Sequence, residues 1–174
     1  MSVSITDTSK DIAKSSLPMV ITAVLVIALD QVTKEIIRNT VAIRGTIQVI
    51  KGFLQITYAE NTGAAFGMFR GKNNVFIIIG IIAIIFILLY YRQFRSSTWM
   101  RISLGFLLGG AVGNMIDRIV FHYVTDFIRV RWWFLRLRWW PSFNVADAAV
   151  LIGASMLIIG MFIESKNIPQ TEKG

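Results

Sequence analysis

The stretch from Val75 to Tyr91 carries no charged side chain and is rich in isoleucine. A run of this length and apolarity matches the hydrocarbon core of a bilayer, which takes roughly 20 helical residues to cross. Three further segments approach the same length, about 17–37, 102–121 and 145–163, with 75–91 as the second in order. The first reaches spanning length only by continuing through Asp30, and the third only by including Asn114, Asp117 and Arg118. The chain is therefore expected to be a single integral-membrane domain of 174 residues with four transmembrane helices. Its 55% hydrophobic content excludes a disordered chain.

The first segment is read as a retained helix and not a cleaved leader. It lacks a small-x-small cleavage site and runs in helical register into "DQVTKEIIR". No large internal repeat supports an inverted-repeat transporter. Four spans put both termini on one side. The positive-inside rule leaves that side open, because Arg92, Arg95 and Arg101 in one loop are balanced by Arg129, Arg131, Arg136 and Arg138 in another. The two longer loops, 38–74 and 122–144, share a face. In the first, "TIQVIKGFLQITYA" has the β-branched and aromatic content of one or two short strands.

Composition limits the chemistry. The absence of cysteine removes disulfides, thiolate nucleophiles and thiolate metal sites. A single histidine, His122, excludes any site that needs two. The net charge of +8 suits a surface lying on anionic phospholipid, and nucleic acid is a poor fit for a chain so largely apolar.

Against this background the carboxylates stand out. Of ten acidic residues, Asp7, Asp11, Glu164 and Glu172 are in the tails, whereas Asp30, Asp117, Asp126 and Asp147 fall within or at the ends of membrane segments. Each such placement costs about 2.5–3.5 kcal/mol on insertion scales. Structural explanations exist for three of them. Asp30 and Lys34 are four apart and can form an intrahelical ion pair. Asn114, Asp117 and Arg118 share a helix face, above Gly110, and can fasten it to neighbours. Asn144 and Asp147 have the spacing of a capping box. Asp126, in "YVTDFIRV", has no such local partner. If it meets Asp147, the two carboxylates cannot both ionise easily, so one holds a proton while the other acts as a base. Such a pair activates water without metal, thiol or histidine. Small residues at Gly105, Gly109 and Gly113, and from Ala149 to Gly153, are expected to draw the third and fourth helices together.

Five stretches in order, "DQVTK" (30–34), "NTGAAFG" (61–67), "GGAVGNMIDR" (109–118), "VTDF" (124–127) and "FNVAD" (143–147), resemble the lipoprotein signal peptidases, or signal peptidase II, of bacterial inner membranes. The resemblance implies a membrane all-α fold of four helices with a small periplasmic β-cradle and cytoplasmic termini. It implies an aspartic endopeptidase acting as a monomer without cofactor or metal. Its substrates would be diacylglyceryl-modified prolipoproteins cut before the lipidated lipobox cysteine, and globomycin-type compounds its inhibitors. Asp126 and Asp147 match the family's catalytic aspartates. Asp30, Lys34, Asn61, Gly63, Ala65, Gly110, Asn114, Asp117, Arg118 and Asn144 match supporting or substrate-binding positions. Ala64 and Ala65 are expected near the scissile bond. Two departures are Glu60, where relatives often carry tyrosine, and the Trp- and Arg-rich "RVRWWFLRLRWW". The tryptophans of that stretch, Trp132, Trp133, Trp139 and Trp140, are expected at the lipid headgroups.

Overall fold

The computed structural model describes residues 5–63, 71–91, 97–131 and 139–166, with side chains from residue 16 onward. Four helices, α1 (Ile5–Arg44), α2 (Asn73–Tyr90), α3 (Thr98–Val120) and α4 (Val145–Lys166), are joined by three strands, β1 (Ile47–Ile50), β2 (Leu54–Asn61) and β3 (Val124–Val130). Each helix is long and apolar enough to cross a membrane, the candidate span of α1 falling within Ser16–Arg44. The side chains are arranged as lipid demands. Leu25, Leu29, Ile82, Leu89, Leu151 and Ile158 are among many large apolar residues that face outward. The fully buried side chains include Asp30, Lys34, Ser103, Asp117, Thr125 and Asn144. In hydrocarbon the apolar residues need no core, whereas polar groups must find partners inside the bundle. Among the described residues, every buried side-chain nitrogen and oxygen has one.

Glycines set the helix spacing. A Cβ on Gly105 would lie 2.7 Å from the Met19 carbonyl oxygen, and one on Gly109 would lie 2.9 Å from that of Ala23. This stripe therefore seats α3 on α1, not on α4 as the sequence suggested. The α3–α4 contact depends instead on Gly110, whose Cβ would lie 2.5 Å from the Ala146 carbonyl oxygen, and on Gly153, 2.8 Å from that of Ser103. Helical residues four apart share a face, so 105, 109 and 113 point one way while 110 points another.

The sheet, in order β1–β2–β3 and antiparallel throughout, sits where α1 and α3 end and α2 and α4 begin. Two strands in the first connection agree with the β-branched pattern. The third, β3, falls in the 122–144 segment, which was expected to be a loop, and takes Asp126 into a strand. Its side chains from Val124 to Phe127 are all buried, so the alternation that reveals a half-exposed strand is missing. The hairpin between β1 and β2 turns at Gly52, whose φ of 75° requires a residue without Cβ strain.

Candidate active site

Asp126 is placed by strand pairing. It lies opposite Ala59 in β2, with an irregularity between Ile56 and Ala59 that adjusts which side chains face inward. Asn61, two residues along β2, reaches diagonally across the ladder and donates its Nδ2 to Asp126 Oδ2 at 2.9 Å. The other face of β2 carries Glu60, which accepts from the Tyr58 hydroxyl at 2.8 Å; Tyr58 in turn meets the Tyr123 hydroxyl at 2.9 Å. The departure at Glu60 therefore belongs to a tyrosine cluster and does not touch Asp126.

Asp147 is placed by the start of α4. Phe143 forms a single rung against Ile128 of β3, its carbonyl accepting from the Phe127 and Ile128 amides at 3.0 and 2.8 Å. That rung sets Asn144 beside Asp126, and α4 starts at the next residue. The expected capping box is present in both directions: Asp147 N–H donates to Asn144 Oδ1 at 2.9 Å, and Asn144 N–H to Asp147 Oδ2 at 3.1 Å. The same Asn144 donates its Nδ2 to Asp126 Oδ1 at 2.8 Å. One asparagine thus holds both carboxylates, so capping and pairing are a single arrangement.

Asn114 completes the inner ring. Its Nδ2 donates to Asp147 Oδ1 at 2.8 Å, while its Oδ1 accepts from Asn144 Nδ2 and from Lys34 Nζ, each at 3.1 Å. Behind it lies a buried ionic layer. Lys34 Nζ is 2.8 Å from Asp30 Oδ2 and 3.4 Å from Asp117 Oδ2, and all three side chains are fully buried. Asp30 Oδ1 accepts the Ala146 N–H at 2.9 Å, capping α4 from another helix. Asp117 Oδ2 accepts the Thr125 N–H at 2.8 Å, which fixes the strand one residue before Asp126. Asp30 and Lys34 are therefore more than the isolated intrahelical pair that their spacing suggests. Gly113 admits this layer, since a Cβ there would lie 2.7 Å from Asp30 Oδ2.

Arg118 points elsewhere on the same rim. It donates to the Gly63 carbonyl at 2.9 Å and to Asn73 Oδ1 at 3.3 Å, with its guanidinium 4.4 Å above the Phe76 ring. Gly63 N–H also donates to Asn61 Oδ1 at 3.0 Å, so the end of β2 is held from two sides. Ala64 and Ala65, together with Trp132, Trp133, Arg136 and Arg138, lie outside the described residues. Trp139 lies under the Arg129 guanidinium at 5.4 Å.

Sequence reasoning did not single out four contributors. Gln31 donates to Asp30, to the Gly113 carbonyl and to Asp117, and Arg38 reaches Asp117 at 3.5 Å and Thr125 Oγ1 at 2.9 Å. Arg38 was findable, because it continues the four-residue spacing of Asp30 and Lys34. Thr125 and Asn73 act through contacts that no local pattern announces.

The environment of Asp126 is unfavourable to charge. Burial, and then the neighbouring Asp147 carboxylate, push its carboxyl up to about 7 from 3.8, against the hydrogen bonds of Asn61 and Asn144 and the charge of Lys34. A group that titrates near neutrality beside a second carboxylate is suited to proton transfer.

Fold and site together define a polytopic membrane protein that keeps a buried carboxylate, Asp126, beside the half-buried Asp147 at the sheet end of its helices. The chain belongs to the signal peptidase II family of proteases: the family model described as signal peptidase (SPase) II, Peptidase_A8, matches residues 22–163. The lipoprotein signal peptidase of Halothermothrix orenii is 40% identical over 146 residues, 84% of this chain and 96% of that protein. That of Moorella thermoacetica is 41% identical over 142 residues, 81% and 90% of the two chains. A solved structure of a bacterial membrane enzyme, obtained in meso at 2.3 Å resolution, has a TM-score of 0.79 and 35% identity, covering 90% of this chain and 94% of that one. A second, at 1.9 Å resolution, has a TM-score of 0.72 and 37% identity, with 82% and 91% covered.

Proposed function

We propose that this protein is an aspartic endopeptidase of the bacterial inner membrane that removes signal peptides from diacylglyceryl-modified prolipoproteins, cutting before the lipidated cysteine. The observation that carries the reading is the joint hold of Asn144 on the buried Asp126 and the half-buried Asp147 where the bundle meets its sheet. A water between the two carboxyl groups is the nucleophile. The ionised carboxylate takes its proton as the oxygen adds to the scissile carbonyl carbon, and the protonated carboxyl gives its proton to the carbonyl oxygen. Collapse of the resulting diol breaks the C–N bond. The first carboxyl then passes its proton to the leaving nitrogen, and the second regains one from the diol hydroxyl. The pair ends as it began.

The outward apolar faces of the helices suit a substrate that arrives within the bilayer on its own acyl chains, and phospholipid as the surrounding partner. Action as a monomer belongs to the same reading. The topology assigned is cytoplasmic termini with the sheet and the aspartates at the periplasmic face, where exported lipoproteins would meet them. Globomycin-type inhibitors would compete at the same carboxylates.

Asp126→Asn and Asp147→Asn keep side-chain shape and remove the proton chemistry. Each purified, folded variant is expected to lose nearly all cleavage of a diacylglyceryl-modified precursor, and the double variant little more, because the pair acts as a unit. Cleavage near the wild-type rate by either single variant refutes the mechanism. Equal cleavage of acylated and unacylated precursor refutes the substrate assignment.

A further inference from the structure

Three asparagine amides surround the carboxylates, and none can turn over. Asn61 Oδ1 is held by the Gly63 N–H and Asn144 Oδ1 by the Asp147 N–H, both obligate donors. Each amide must therefore present its NH2 group to Asp126. Asn114 differs in what holds it. Its oxygen faces Lys34 Nζ at 3.1 Å, an ammonium that has three donors and no acceptor. With the oxygen fixed there, the nitrogen must face Asp147 Oδ1, at 2.8 Å.

Lys34 is itself immobile, fully buried between Asp30 and Asp117. A buried charge acting on an amide oxygen polarises the far N–H and strengthens its bond to the next acceptor. Asp147 also lies in the first turn of α4, where the helix dipole favours negative charge. Asp126, on a strand, has neither the charge-held amide nor the helix end.

We propose that Lys34 is a positioning residue for the reaction: through the Asn114 amide it fixes the N–H that meets Asp147, and so makes Asp147 the carboxylate that takes the proton from water while Asp126 carries the pair's proton. This assignment rests on the peptidase reading and adds to it which aspartate is base and which is acid. The placement of the Asp126 carboxyl near 7 agrees with its holding the proton. The charged groups in range of the pair are Asp30 and Lys34 from α1 and Arg118 from α3, with Asp117 on the Thr125 N–H one residue from Asp126. Lys34 alone among them is hydrogen-bonded to an amide that touches a carboxylate of the pair.

Two variants test the relay on the full-length protein in detergent, with a diacylglyceryl-modified precursor. Lys34→Gln removes the charge and retains a donor. Asn114→Asp keeps the shape and the bond to Lys34 but presents oxygen, not N–H, to Asp147. In each, kcat is expected to fall about 10²-fold with KM within about threefold of wild type, the scale of a misdirected catalytic group. The acidic limb of the pH–rate profile, which belongs to the pair, should move upward by about one unit or more in both. Should Lys34→Gln fail to fold, Asn114→Asp decides alone. A kcat within about threefold of wild type, or a fall in kcat with the acidic limb unmoved, overturns the proposal. Failure of the peptidase reading looks different, since the wild-type protein then leaves the precursor intact and both conclusions fall.

Discussion

Replacing Asp126 with asparagine should change how stability depends on pH, whatever the substrate. Asp126 is 2% exposed, and its carboxyl is pushed from 3.8 to about 7 on folding. Between those two values the folded protein holds a proton that the unfolded chain has released. Stability therefore falls as pH rises through this window, and levels off above the folded value. The full displacement corresponds to about 4 kcal/mol, at about 1.4 kcal/mol per unit. Over the accessible range, from about pH 5 to about pH 8, linkage gives a loss of about 3 kcal/mol. For a chain of this size that is a drop of roughly 5–10 °C in Tm. An asparagine side chain does not titrate, so Asp126→Asn should lack this part of the pH dependence while sharing what other groups contribute. The assay is thermal unfolding of both proteins in detergent, followed by tryptophan fluorescence, at both pH values. The wild-type protein should lose about 3 kcal/mol more than the variant on going to alkaline pH. Parallel curves would refute the claim that Asp126 is buried against its charge.

Gly110→Ala should separate activity from fold: the added Cβ, 2.5 Å from the Ala146 carbonyl oxygen, must displace the start of α4 by most of an ångström. A shift of that size at Asp147 is expected to cost about 10²-fold in cleavage rate, measured as kcat on folded protein, and an unchanged rate would contradict the packing. Asp30→Asn should act mainly on stability. It removes one partner of the buried Lys34 pair while keeping an oxygen for the Ala146 N–H, and about 3 kcal/mol should be lost in thermal or denaturant unfolding.

The residues of the site were legible in the sequence because a bilayer makes them conspicuous. Asp30, Asp117, Asp126 and Asp147 interrupt or end segments that have no other reason to tolerate charge. The Asn144–Asp147 box and the Asp30–Lys34 pair are local, so their spacing sufficed, and both contacts are present. Strand β3 was hidden because its first four residues are all buried and so lack the alternation that marks a strand. The partners of the glycines were equally hidden. Small-residue spacing shows that a helix can be approached closely, but not which neighbour approaches it. Only the tertiary structure decided that Gly105, Gly109 and Gly113 seat α3 on α1, while Gly110 receives α4. It also decided that one side chain, Asn144, spans the gap between Asp126 and Asp147. That contact depends on Phe143 pairing with Ile128, a long-range hydrogen-bonded rung that forms only once the helices have brought both connections to one end of the bundle.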